Sequence, residues 1–222
     1  MELIGLGLYT PNQAARITGA DPREVRRWMF GYKNQSGELQ PPLWQPQITQ
    51  SEDKVIGFMD LMELRIVKAF VRHGVPLRTI RASIQSAQQI FDTPYPFTAN
   101  RFLTDGKSIF YEAIHQEPQL TDLLKKQLVF ESIIRPSLYA GIEFDATGTA
   151  TRWYPLKKSR AVILDPKLSF GRPSLSKFGI PTEIIAAAVK VEGNQKRVAS
   201  QFDIPVADVS AAVKFEDQLM AA

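Results

Sequence analysis

Three arginines, Arg23, Arg26 and Arg27, fall within five consecutive residues of the run PREVRRWMF. A planar guanidinium carries paired N–H donors that match the O6 and N7 edge of guanine, and its permanent charge suits phosphate. Three of them on one short helix are what entry into a DNA major groove requires. The surrounding residues supply that helix. Asp21 caps it, Pro22 takes its first position, and Val25, Trp28 and Met29 repeat at spacings of three and four. Before it, Gly19 ends a shorter helix that Thr10 caps, Pro11 opens, and Ala14, Ala15 and Ile17 line with small apolar groups. The pattern predicts helix, tight turn, helix. Charge clusters on short helices are commonly a solvated face; here the caps, the apolar spacing and the arginines agree on one use.

The run YTPNQAARITGADPREVRRW resembles the N-terminal helix-turn-helix of MerR-like winged-helix regulators, in which an aromatic-Thr pair leads into an Ala-Ala helix and an Arg-rich second helix. The resemblance implies DNA binding and extends to about Phe91, because FMDLMELRIVKAFVRHGVPLRTIRASI is similar to the second helical pair of the same regulators. Between the two, Phe30 to Lys54 carries Gly31, Gly37, Pro41, Pro42 and Pro46, a density that disfavours helix and predicts an extended wing. In the proteins it resembles, the wing lies along the phosphate backbone, which makes Lys33 a DNA-contact candidate beside Asn34 and Gln35.

Longer helices follow. Phe58, Leu61, Leu64, Val67 and Val71 share one face, with Met62, Ile66 and Phe70 beside it, so this helix has apolar surface for two neighbours. Gly74 stops it, Pro76 starts the next, and Ile80, Ile84, Ala87 and Phe91 carry the stripe onward; Arg72, Arg78 and Arg81 decorate the outside. The middle third is mixed. Asp105-Gly106 between Phe102–Thr104 and Ser108–Tyr111 predicts a tight hairpin, Leu120 to Ile134 a helix, and Ile142 to Tyr154 a second hairpin around Asp145 to Gly148. Asp105, Glu112, Glu143 and Asp145 are the carboxylates there for acid–base chemistry, but no base, phosphate loop or metal ligand accompanies them. Turn and edge-strand roles explain them better, and no catalytic residue is assigned.

Composition sets the bounds. The 222 residues suit two or three units with cores of their own. Without cysteine there is neither a disulfide framework nor a thiolate metal site, and His73 and His115 are the only histidines. No metal or cofactor is expected. No apolar run approaches a bilayer span, and MELIGLGLYT lacks a basic region before its apolar stretch, so a soluble, cytoplasmic protein without membrane contact is expected. Of the net charge of +4, residues 1–91 carry an excess of three positive charges, 92–156 an excess of two negative, and 157–222 again three positive. That distribution permits nucleic-acid binding at both ends.

The last segment builds helices around turns. Gly171 and Pro173 shape a turn, Pro181 starts a helix whose Ile184, Ile185, Ala188 and Val189 point inward, and Gly193 ends it. Val198, Ala199 and Phe202 make a short helix, Asp203 to Pro205 a turn, and Val209, Ala212 and Val213 a further helix. This second helix-turn-helix bears no arginine on its last helix, so a dimerisation or partner-binding role is expected, with Val209, Ala212, Val213 and Phe215 as surplus apolar surface. Residues 160–216 resemble a small helical domain of unknown function found in VapB-type bacterial antitoxins encoded beside PIN-type ribonuclease toxins. Asp165-Pro166, Gly171-Arg172-Pro173, Gly179-Ile180-Pro181, Gly193 and Val198-Ala199 with Phe202 carry the likeness. Lys177-Phe178 departs from it where many relatives have Gly-Thr.

The expected fold is therefore mainly α with a small antiparallel β component. It comprises a MerR-like winged helix-turn-helix over 1–91, a mixed segment over 92–156 and a helical antitoxin or dimerisation domain over 157–222. The two resemblances imply an antitoxin and autoregulator, not an enzyme, of a type II toxin-antitoxin system. Its partners would be double-stranded DNA, a PIN-type ribonuclease and a second copy of itself, with Arg160, Lys167, Arg172 and Lys177 as toxin-contact candidates. The alternative is a MerR-like ligand-responsive regulator whose middle hairpins cup a small molecule.

Overall fold

Thr10 and Asp21 begin the first two helices as the sequence predicts. The structure is a computed structural model that describes residues 5–49, 53–99, 102, 106, 138–156 and 158–221. In α1 (Pro11–Thr18) the Thr10 hydroxyl accepts from Gln13 N while the Gln13 side chain accepts from Thr10 N, and Gly19 closes the helix in the left-handed conformation. In α2 (Pro22–Phe30) Asp21 and Glu24 form the same reciprocal cap. Each cap satisfies two helix-end N–H groups that would otherwise face water, at about 1 kcal/mol for the capping side chain.

The residues divide into two compact units, one of Thr10–Tyr139 and Phe144–Ala150, the other of Met1–Tyr9, Ala140–Glu143 and Thr151–Ala222. In the first, α1 and α2 are followed by a two-stranded antiparallel ribbon, β1 (Tyr32–Lys33) and β2 (Leu39–Gln40), then by α3 (Phe58–Arg72) and α4 (Leu77–Phe91). Around α3, Phe58, Leu61, Met62, Leu64, Ile66, Val67 and Phe70 are all buried, so it is the core helix its double apolar face predicts. Ile80, Ile84 and Ala87 of α4 are fully buried, and Phe97 packs against Phe70 and Phe102 at ring separations of 5.2 and 4.7 Å.

One turn prediction fails here. Phe102 and Gly106 are helical, and a side chain on Gly106 would meet the Phe102 ring at 2.9 Å, one helical turn back. The hairpin expected around Asp105-Gly106 is therefore not what the described positions form: Phe102 and Gly106 are helical, and Phe102 packs against Phe97 and Phe91. Asp105, Glu112, the rest of that segment and the helix expected over 120–134 lie outside the described residues. The later hairpin forms, as β3 (Ile142–Phe144) and β4 (Ala150–Trp153). Asp145 holds its turn, accepting from Thr147 N, Thr147 Oγ1 and Thr149 N.

The second unit starts from the chain's beginning. Leu8 N donates to Phe170 O at 2.8 Å, and the buried Tyr9 hydroxyl donates to Gly171 O at 2.6 Å. Gly171 has φ 82°, and any side chain there would run into the Tyr9 hydroxyl, so glycine is required twice over. The ribbon of β5 (Val162–Ile163) and β6 (Ser174–Leu175) precedes α5 (Thr182–Glu192), α6 (Gln195–Phe202) and α7 (Val206–Ala221). Leu175, Ile185, Val198, Ala199, Ile204, Val209 and Ala212 make its core.

Two details correct the sequence reading of this unit. Ile184 is 43% exposed instead of inward, and Phe215, expected as surplus surface, is buried at 4% exposure along with Val209 and Ala212. Among the described residues of this unit, the exposed large apolar groups are Phe170 and Phe178 in the turns around β6, Ile184 and Val191 of α5, and Val206 and Met220 at the two ends of α7.

Candidate nucleic-acid interface

Successive residues of an α-helix are turned by about 100°, which puts Val25, Trp28 and Met29 on one side of α2 and Arg23, Arg26 and Arg27 on the other. All three apolar residues are buried and all three arginines exposed. The arginines differ in how they are held. Arg26 Nη2 donates to Asn12 Oδ1 of α1 at 3.1 Å and its Nη1 to Pro22 O at 3.4 Å. The Arg27 guanidinium lies over the Tyr32 ring of β1, 4.0 Å from its centre. Arg23 uses its backbone N–H on the Asp21 cap, at 2.6 Å, and its side chain extends into solvent.

The wing is pinned to α2. Gly31, at φ 73°, passes so close to β2 that a Cβ would stand 2.5 Å from Gln40 O, which only glycine permits. Tyr32 pairs with Gln40 and Lys33 with Leu39, and exposed Lys33 lines an open concavity with Arg27, Tyr32, Asn34, Gln35 and Ser36. Asn34 is committed to the turn: its Oδ1 accepts from Glu38 N at 2.9 Å and its Nδ2 donates to Glu38 Oε2 at 2.8 Å. Of the three polar residues read as phosphate contacts, Lys33 and Gln35 therefore keep exposed side chains and Asn34 shapes the turn.

A buried carboxylate organises the return from wing to core. Asp60 accepts from Trp44 Nε1 at 2.9 Å, from Gln47 N at 3.0 Å and from Gly57 N at 3.0 Å. Gln47 in turn caps α3 by accepting from Met59 N. Burial raises the Asp60 carboxyl above its ordinary value, against these three donors, which lower it. Arg81, read from the sequence as a surface residue, donates to Pro42 O at 2.6 Å and Pro41 O at 2.8 Å, and Lys68 pairs with Glu24 at 2.8 Å, tying α3 to α2. Deeper in α3, Glu63 is fully buried, accepts from Thr98 N and Oγ1, and is pushed up to about 8 by burial. No sequence period marks Asp60, Glu63, Arg81, Asn12 or Tyr32 for these roles.

The four cations expected to meet a toxin are not alike. Arg160 bonds Glu143 at 2.6 Å and lies over the Tyr154 ring, and Arg172 bonds Glu183 at 2.9 Å. Lys167 and Lys177 are exposed and form no ion pair among the described residues. Glu143 and Asp145, the described members of the carboxylate set, serve the Arg160 and Arg152 pairs and the hairpin turn.

Helix, capped turn, arginine-bearing helix and wing define a helix-turn-helix domain, and residues 7–84 match the family model described as "Putative DNA-binding HTH domain". Over 210 residues the chain is 22% identical to "Putative antitoxin VapB45" of Mycobacterium tuberculosis, covering 88% of this chain and 87% of the relative. The chain is thus similar, over nearly its whole length, to a VapB-type antitoxin and carries an N-terminal helix-turn-helix. The crystal structure of Rv2018 from Mycobacterium tuberculosis shares the fold, with a TM-score of 0.71 at 21% identity over 96% of this chain and all of that one.

Proposed function

We propose that this chain is the antitoxin and autoregulatory DNA-binding protein of a type II toxin-antitoxin pair whose toxin is a PIN-type ribonuclease. The exposed face of Arg23, Arg26 and Arg27 on a helix capped and buttressed for groove entry carries the DNA part of this reading. The likeness to an antitoxin supports the rest. Residues 1–91 act as a MerR-like winged helix-turn-helix on operator DNA in the cytoplasm, and two copies meet two half-sites. Residues 157–222 take the toxin. A nuclease that binds divalent metal through clustered carboxylates presents an acidic pocket, and Lys167 and Lys177, the two candidates that form no ion pair among the described residues, are best placed to enter it.

The ligand-responsive alternative needs two hairpins around a small molecule, and the helical conformation of Phe102 and Gly106, the two described positions of the first, favours the antitoxin reading. Co-expression with the nuclease of the adjacent reading frame tests the proposal. The full chain restores growth, while a chain ending at Leu156 leaves the nuclease active. Equal protection by both forms would place inhibition outside 157–222.

A further inference from the structure

The three arginines of α2 sit in three different settings, and different settings suit different work. Arg26 lies on the side of α2 facing α1, where Asn12 Oδ1 takes its Nη2 and Pro22 O its Nη1. Asn12 is the second residue of α1 and is exposed, so its Nδ2 donors stand beside the Arg26 guanidinium at the positive end of that helix. When a helix-turn-helix docks, its first helix crosses the sugar-phosphate backbone while the N-terminal residues of the second reach base edges. Arg23 is the arginine nearest the N-terminus of α2, and among the described residues its exposed side chain makes no hydrogen bond or ion pair.

Resting on the DNA-binding reading above, we infer that Asn12 and Arg26 form a two-residue phosphate clamp, with Asn12 as the positioning residue, and that Arg23 reads the base edge. A phosphate contact fixes register without selecting sequence, and neutralising a phosphate releases counterions; a base contact selects sequence. The two roles therefore separate in two different measurements.

The probe is a set of duplexes selected from a randomised pool by the full-length chain, titrated at several salt concentrations with Asn12→Ala, Arg26→Ala, the double variant and Arg23→Ala. All three positions are exposed, so circular dichroism should show the fold retained. Arg26→Ala and Asn12→Ala weaken binding by a similar factor on every duplex and flatten the salt slope by roughly 0.9. The double variant is no worse than Arg26→Ala alone, as one clamp requires. Arg23→Ala leaves other positions alone and loses about 5- to 150-fold of discrimination at one base pair. Loss of base preference in Asn12→Ala or Arg26→Ala, with preference intact in Arg23→Ala, would overturn the assignment. A wild-type chain that selects no sequence from the pool fails at the earlier step, the DNA-binding reading itself.

Discussion

Two helix-turn-helix pairs stand in one chain, α1–α2 and α6–α7, and they differ where it matters. On α2 the exposed side carries Arg23, Arg26 and Arg27 opposite Val25, Trp28 and Met29. On α7 the buried side is Val209, Ala212 and Phe215, but the remaining charged residues are Asp208, Lys214, Glu216 and Asp217, which phosphates would on balance repel. The same backbone arrangement thus presents opposite surfaces. Function follows the outward face, and the fold only holds it still.

The units also differ in what they bury, and breaking those anchors gives the largest expected effect. Asp60→Ala strips the acceptor from Trp44 Nε1, Gln47 N and Gly57 N together and should cost about 3 kcal/mol or more. The C-terminal counterpart is milder. Thr182→Val removes the hydroxyl bonds to Glu216 Oε1 and Pro173 O and should cost about 1 kcal/mol, both values read from denaturant unfolding. Comparable losses would mean that the two units depend on buried polar anchors alike.

A pH series sharpens the same contrast. Glu63 is pushed up to about 8 by burial, against an ordinary value of 4.5, so the folded chain keeps a proton that the unfolded chain releases. Its contribution is complete below about 4.5 and is lost as pH rises through about 8, by up to about 1.4 kcal/mol per unit in that window. Asp60, also raised by burial, acts with the same sign. Unfolding followed by tryptophan fluorescence at pH 5, 6.5 and 8 should show falling stability, and Glu63→Gln, which stays neutral, should remove most of the slope. A wild-type profile flat or rising over this range would contradict a protonated Glu63.

The smallest effect concerns the proposed second copy. Ile184, Ala187 and Val191 line the exposed side of α5, with Val191 at 85% exposure. Replacing Val191 with Glu should leave the fold and its stability within about 0.5 kcal/mol, since an exposed side chain contributes little to packing. If self-association uses this face, sedimentation equilibrium should show weaker association. Unchanged association would move the contact elsewhere.

The sequence made the local signals legible. Thr10-Pro11 and Asp21-Pro22 mark helix starts, Gly19 marks a stop, and the arginine and apolar sides of α2 separate by spacing alone. The long-range ties have no such signature. Tyr9, which leads the helix-turn-helix motif in sequence, gives its hydroxyl to Gly171, 162 residues away, and Asp60 collects donors from a loop without any period. Arg81 looks like a surface arginine until the chain folds Pro41 and Pro42 against it. Gly106 shows the converse: the sequence places it in a tight turn, yet it is helical, one turn on from a Phe102 that packs against Phe91 and Phe97.

The central claim, that α2 and not the second helix-turn-helix is the surface that reads DNA, is tested by exchanging losses between the two. One full-length variant carries Arg23→Ala, Arg26→Ala and Arg27→Ala; the other carries Lys196→Ala, Arg197→Ala and Lys214→Ala, which removes exposed cations of α6 and α7. Affinity for a duplex selected by the wild-type chain is measured against salt. The first variant should lose sequence preference and most of the salt slope, roughly 0.9 per phosphate contact removed, while the second keeps its preference. The reverse result, preference lost in the second variant and kept in the first, would contradict the claim.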